Sequence, residues 1–164
     1  MEDRTTRTTE DTEGTEMRKG NGSAEGTPGD GNLQEINSLT ERVIGAAIRV
    51  HQALGPGLLE STYETCLAHE LLLEEHHVER QVPVPVVYKG VTLDCGYRID
   101  LRVDGILVLE LKSVERLEAI HSAQILTYLK LSGHKVGLPI NFNVSVLHSG
   151  VRRFLNSPPG NLGA

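Results

Sequence analysis

Tryptophan is absent from this 164-residue chain, aromatic residues make up only 4% of it, and cysteine occurs twice. Cys66 and Cys95 stand far apart, with no second pair and no histidine at ligand spacing, which argues against a disulfide framework or a structural zinc site. A reducing cytoplasm is the expected setting. No apolar run reaches eighteen residues, and no hydrophobic stretch follows the charged N-terminus, so neither a membrane span nor a secretory leader is expected. An excess of basic charge is missing too: 16 Lys and Arg face 22 Asp and Glu, for a net charge of −6. Residues 1–36 carry four basic and nine acidic side chains, a share of −5 that leaves −1 for the remainder. A nearly neutral domain lacks the basic stripe that tight, non-specific duplex binding needs.

A hydrophobic content of 38% suffices for one core in a chain of this length, and two domains would be cramped. Residues 1–36, rich in Thr, Glu, Gly and Asp, bury too little to offset the entropy of ordering and are expected to form a disordered acidic tail. The folded domain is expected over 37–156, with a flexible C-terminus at 157–164. Ser38 and Glu41 form a capping-box pattern before Val43, Ala46, Ala47 and Val50, which recur at helical spacing until Gly55-Pro56-Gly57. A second helix is predicted over Leu58–Glu75, carrying Glu60 and Tyr63, with His76-His77 at its end. Strands are expected over Val82–Tyr88, Val91–Leu101 and Ile106–Lys112, then a helix over Glu118–Leu131 that closes at Gly133. A strand over Lys135–Phe142 follows, whose Pro139 suggests an edge or a bulge, and then a short strand over Val144–His148.

The turn between Asp100 and Glu110 decides what the strands present. A two-residue turn at Asp104-Gly105 pairs Val103 with Ile106 and puts Asp100 and Glu110 on opposite sides of the sheet. A three-residue loop, Val103-Asp104-Gly105 with Gly105 left-handed, pairs Asp100 with Val108 and brings Glu110 and Lys112 onto its face. Apolar alternation selects the odd loop, because Ile99, Leu101 and Val103 then share a face with Leu107, Leu109 and Leu111. A solvated face with cross-strand ion pairs, such as Arg98 with Glu110, is the plain alternative for the other side. Ile106 and Val108 lie on that side and imply a partly covered cleft instead. Two carboxylates in such a cleft repel one another and call for a cation, and their hard oxygens point to Mg²⁺ or Mn²⁺.

Gly57-Leu-Leu-Glu60-Ser-Thr-Tyr63, Gly96-Tyr97-Arg98-Ile99-Asp100-Leu101, Glu110-Leu111-Lys112, Gln124-Ile-Leu-Thr-Tyr128 and Ile140-Asn141-Phe142-Asn143 follow one another in an order that resembles the GxxExxY family of the PD-(D/E)xK nuclease superfamily. The resemblance runs from about Ile36 to Leu155. It implies a restriction-endonuclease-like α/β core, a mixed β-sheet flanked by helices. It also implies a Mg²⁺ (or Mn²⁺) site in which Asp100 and Glu110 are ligands, Glu60 is an additional acidic residue for the metal or its water, and Lys112 positions water and phosphate. Gln124 and Tyr128 resemble the Q-x-x-x-Y element of RecB-like nucleases and are expected beside the substrate. Tyr63 reads as a core aromatic. The expected function is a metal-dependent nuclease acting on nucleic acid, DNA first, with a homodimer as one way for a small neutral domain to grip a duplex. A non-catalytic nucleic-acid- or protein-binding module that retains the fold is the rival.

Overall fold

Asn32, not Ser38, starts the first helix in the computed structural model, which describes residues 32–157. The Asn32 side chain accepts the Glu35 N–H at 2.9 Å and the Glu35 carboxylate accepts the Asn32 N–H at 3.2 Å, a complete capping box. Helix α1 therefore spans Leu33–Leu54, and Ile36 joins the core with 1% of its surface exposed. Residues 32–36 thus leave the expected tail. The remainder of that tail, and nearly all of the expected C-terminal extension, lie outside the described residues. Helix α2, Glu60–Leu73, is two residues shorter at each end than its sequence pattern suggests.

The strands are β1 Val78–Pro83, β2 Val86–Tyr88, β3 Val91–Leu93, β4 Arg98–Val103 and β5 Leu107–Lys112. Helix α3, Ala119–Ser132, then leads to β6 Val136–Asn141 and β7 Phe154–Leu155. They build a mixed five-stranded sheet in the order β1-β4-β5-β6-β7, parallel only between β5 and β6, while β2 and β3 pair with each other alone. The strand expected over Val82–Tyr88 is two, with the break at Val84-Pro85; Pro83 still pairs with Arg98 as the last residue of β1, which lies at the sheet edge where prolines are tolerated. The strand expected over Val91–Leu101 is also two. Asp94 Oδ1 accepts the Gly96 N–H at 2.9 Å and turns the chain between them. The segment expected as a strand at Val144–His148 leads instead into a 3₁₀ turn, Leu147–Gly150.

Pro139 is neither at an edge nor at a bulge, for β6 is flanked on both sides and buried throughout. Its carbonyl accepts the Arg152 N–H at 3.1 Å. Since a strand residue's N and C=O point the same way, the missing N–H faces away from β5, and the parallel ladder loses nothing.

One face of the sheet packs Leu101, Val103, Leu107, Leu109 and Leu111 against α1 and α2, including Val43, Ala47, Tyr63 and Leu67. The other packs Val108 and Ile99 against Ile125, Tyr128 and Leu129 of α3. Ile99 thus departs from the alternation expected for it. It turns to the α3 side at the level where Gln81 of the neighbouring strand takes a left-handed φ of 52°. Among the described residues no helix is long and apolar enough to cross a membrane.

Helix α3 sits hard against β6 at Gly137, where an added Cβ would lie 2.7 Å from Ile125 Cγ1. Gly137→Ala is expected to push α3 off the sheet and cost about 1–3 kcal/mol, which urea denaturation would measure. An unchanged midpoint would contradict this close seating.

Candidate functional site

Between β4 and β5 the Ile106 N–H donates to Val103 O at 3.0 Å, closing a tight turn whose central residues, Asp104 and Gly105, have φ of 52° and 67°. Pairing resumes with Val103 opposite Leu107 and Leu101 opposite Leu109, so Ile106 is an extra, bulged residue. The odd parity expected from apolar alternation therefore holds. The loop runs one residue later than expected, and Asp100 falls level with Glu110 instead of Val108. Ile106, placed by sequence on the Val108 side, packs against the opposite core as the bulge residue. Asp104 is held by its Oδ1, which accepts the His77 N–H at 2.8 Å, by its Oδ2 at 2.7 Å from His76 Nδ1, and by its own N–H to His77 O at 2.8 Å. Aspartate tolerates the left-handed conformation, and these three contacts fix it there.

Asp100, Glu110 and Lys112 thereby converge. Asp100 Oδ2 accepts the Leu111 N–H at 2.8 Å, and Lys112 Nζ lies 3.9 Å from Glu110 Oε2. Lys112 also donates to Gln124 Oε1 at 3.0 Å, and Gln124 Nε2 donates to the Tyr128 hydroxyl at 3.0 Å, so the two α3 residues four apart join the cluster on one helical face. Glu60 stands at the first turn of α2, where its Oε1 accepts the Ser113 N–H at 3.1 Å, next to the end of β5.

Electrostatics single out Glu110. It is 3% exposed, and burial, followed by repulsion from Asp100, pushes its carboxyl from an ordinary 4.5 up to about 8, against the pull of Lys112. Its Oε1 is buried without a hydrogen-bond partner. Asp100 is raised as well, chiefly by burial, while the Leu111 N–H works the other way and Glu64 adds repulsion. A buried, unpartnered carboxylate oxygen beside a second carboxylate fits a hard divalent cation. Among the described residues no three His, Cys, Asp or Glu side chains gather into one metal-binding group. That leaves the Asp100–Glu110 pair, which suits Mg²⁺, an ion that keeps several waters and takes one or two carboxylates.

Three further residues escaped the sequence reading. Glu64, one turn after Glu60, is buried, accepts Arg80 Nε at 2.9 Å and Gln81 Nε2 at 2.7 Å, and repels Asp100. Gln81 reaches Asp100 Oδ1 with the same amide, at 3.3 Å. Ser113 ties β5 to α2 through its N–H to Glu60 and its hydroxyl to Leu58 O at 2.7 Å. The spacing of Glu60 and Glu64 on one helix face was a usable signal for the first; the other two depend on tertiary contacts. Tyr63 is a core residue, stacked on Phe142 at 4.3 Å with its hydroxyl donating to Gly55 O at 2.5 Å. Of the two adjacent histidines after α2, His76 turns inward to Asp104 and His77 outward to solvent.

Comparison with family models matches residues 37–154 to the PD-(D/E)XK nuclease superfamily. No curated protein and no solved structure gives a significant match.

Because the folded state holds the Glu110 proton more tightly than the unfolded chain, this carboxyl's contribution to stability is complete below the ordinary carboxylate range and is lost as pH rises toward 8. In EDTA, Glu110→Gln is expected to melt several degrees above the parent at pH 8, with the gap shrinking toward pH 5, since a tenfold difference in proton affinity between folded and unfolded chains amounts to about 1.4 kcal/mol. A gap that does not vary with pH would show that Glu110 titrates normally.

Proposed function

The chain belongs to the PD-(D/E)XK nuclease superfamily, and on that premise we propose that it is a divalent-metal-dependent nuclease that hydrolyses phosphodiester bonds in DNA. The observation that carries this reading is the buried Glu110 Oε1, unpartnered beside Asp100 and within the reach of Lys112. A module that only binds has no use for a carboxyl left without a partner at such a desolvation cost. The finer placement in the GxxExxY family rests on the motif order from Gly57 to Asn143.

Superfamily members generally use divalent metal ions, and Asp100 and Glu110 would hold one here. Bound there, Mg²⁺ or Mn²⁺ supplies polarisation of a phosphoryl oxygen and a more acidic water. The chain's own groups do the rest. Lys112 keeps a compact positive charge at the cleft, held by Gln124 Oε1 on one side and facing Glu110 Oε2 on the other. In that position it orients an attacking water and offsets charge building on the scissile phosphate. Gln124 fixes the ammonium, and Tyr128 fixes Gln124. Glu60, bound to the Ser113 N–H, adds negative charge near Glu110 and would hold a water of the metal.

A panel of single-stranded, duplex, branched and RNA substrates in Mn²⁺ or Mg²⁺ tests the proposal. Cleavage of at least one is expected, abolished by EDTA, lowered about 100-fold or more by Lys112→Ala, and lost in Asp100→Asn and Glu110→Gln. No cleavage anywhere in the panel, or cleavage that survives those changes, would overturn it.

A further inference from the structure

The chain has six aromatic side chains, four Tyr and two Phe. Tyr63 and Phe142 are fully buried, Tyr128 is nearly so, and Phe154 packs partly against the α3 core. The two exposed ones are Tyr88, at 61%, and Tyr97, at 48%. Both belong to one arm, the β2–β3 hairpin and its return to β4, and each is followed by an exposed cation, Lys89 or Arg98. The arm pairs only with itself, and none of its residues from Val86 to Leu93 enters either core. It springs from the edge of the sheet at Val84, whose N–H donates to Tyr97 O at 2.8 Å, two residues before the strand position of Ile99 and three before Asp100.

The arm is also tied to the catalytic cluster. The Tyr97 ring lies 6.1 Å from that of Tyr128, tilted by 54°, and Tyr128 leads through Gln124 to Lys112. Lys89 Nζ sits 5.4 Å from the centre of the Tyr88 ring and covers one face of it. Two exposed aromatic rings, each next in sequence to a cation and set among the exposed apolar side chains of Val87, Val91 and Leu93, on a projection that adjoins the proposed phosphodiester-cleaving site through Tyr128, match the needs of an unpaired nucleic-acid strand. Bases stack on the rings whatever their sequence, and phosphates meet the cations. A duplex offers such rings no free base face, and a nearly neutral domain has little with which to hold its backbone.

Resting on the nuclease reading, we propose that the arm is a substrate subsite for single-stranded nucleic acid, with Tyr97 stacking an unpaired base at the rim of the cleft and Tyr88 extending the platform. Deoxyribose and ribose strands present the same stacking chemistry, and both belong in the test.

The test is fluorescence anisotropy with the full chain in Ca²⁺ or EDTA, which separates binding from cleavage. Probes are a mixed-sequence 12-nucleotide DNA strand, its RNA counterpart and the blunt DNA duplex. A single strand is expected to bind at least about tenfold more tightly than the duplex. Tyr97→Ala should weaken strand binding about tenfold or more, and Tyr97→Phe, which keeps the stacking face, should leave it nearly unchanged. Thermal melting of both variants at the parental temperature excludes a folding defect. Equal affinity for duplex, or equal loss in the Phe and Ala variants, overturns the subsite. So does sedimentation showing that the arm holds two copies of the chain together, a dimer dispersed by Tyr88→Ser. Strand binding that depends on Tyr97 in a protein that cleaves nothing would support the subsite and remove the nuclease reading; cleavage indifferent to Tyr97 would do the reverse.

Discussion

A carboxyl group almost wholly out of water, with one oxygen unpartnered and a second carboxyl beside it, is the constraint around which the rest of this domain is arranged. Left ionised without compensation, Glu110 would destabilise the fold, so it either keeps a proton or meets a cation. Lys112 alone does not relieve it, since at 3.9 Å from one oxygen its pull is outweighed by burial and by Asp100. On the proposed reading, this imbalance is what a divalent cation at Asp100 and Glu110 would relieve.

Packing creates that imbalance through a single extra residue. Because Ile106 is bulged, Arg102 pairs with Val108 and Leu101 with Leu109, and Asp100, the next residue beyond that last pair, comes beside Glu110. Asp104 fixes the bend by binding both the His77 backbone and the His76 ring at the entry to β1, so the geometry of the site depends on contacts at the far end of the hairpin. From the other side α3 is pressed onto β6 at Gly137, which sets the height at which Gln124 reaches Lys112. Helix α2 is tied to the end of β5 by Ser113, which brings Glu60 to the opening.

The parity of the hairpin was legible in the sequence because Leu101 and Val103 must face Leu107, Leu109 and Leu111 to close a core, and they do. The identity of the extra residue was not, since loops at Val103–Gly105 and Asp104–Ile106 have the same parity and hydrophobic alternation cannot separate them. The contacts that choose between them come from His76 and His77, nearly thirty residues earlier. Asn32 was missed for a different reason. Its capping box lies inside a window whose average composition is that of a solvated tail, and a cap is a local hydrogen-bond pattern that averaging hides. Gln124 and Tyr128 were visible as a pair four apart, while Glu64 passed for an ordinary helix residue until Arg80 and Gln81, on the next strand, covered it. Pro139 misled because its missing N–H suggested an edge, and only the side toward which its carbonyl points reveals why β5 tolerates it.

The most direct measurement is the ¹³C shift of the Glu110 side-chain carboxyl against pH, recorded by NMR in EDTA and again in Mg²⁺. The expected result is titration near 8 in EDTA and a midpoint well below that in Mg²⁺, since a bound cation displaces the proton. A midpoint in the ordinary carboxylate range that is the same in both conditions would contradict it.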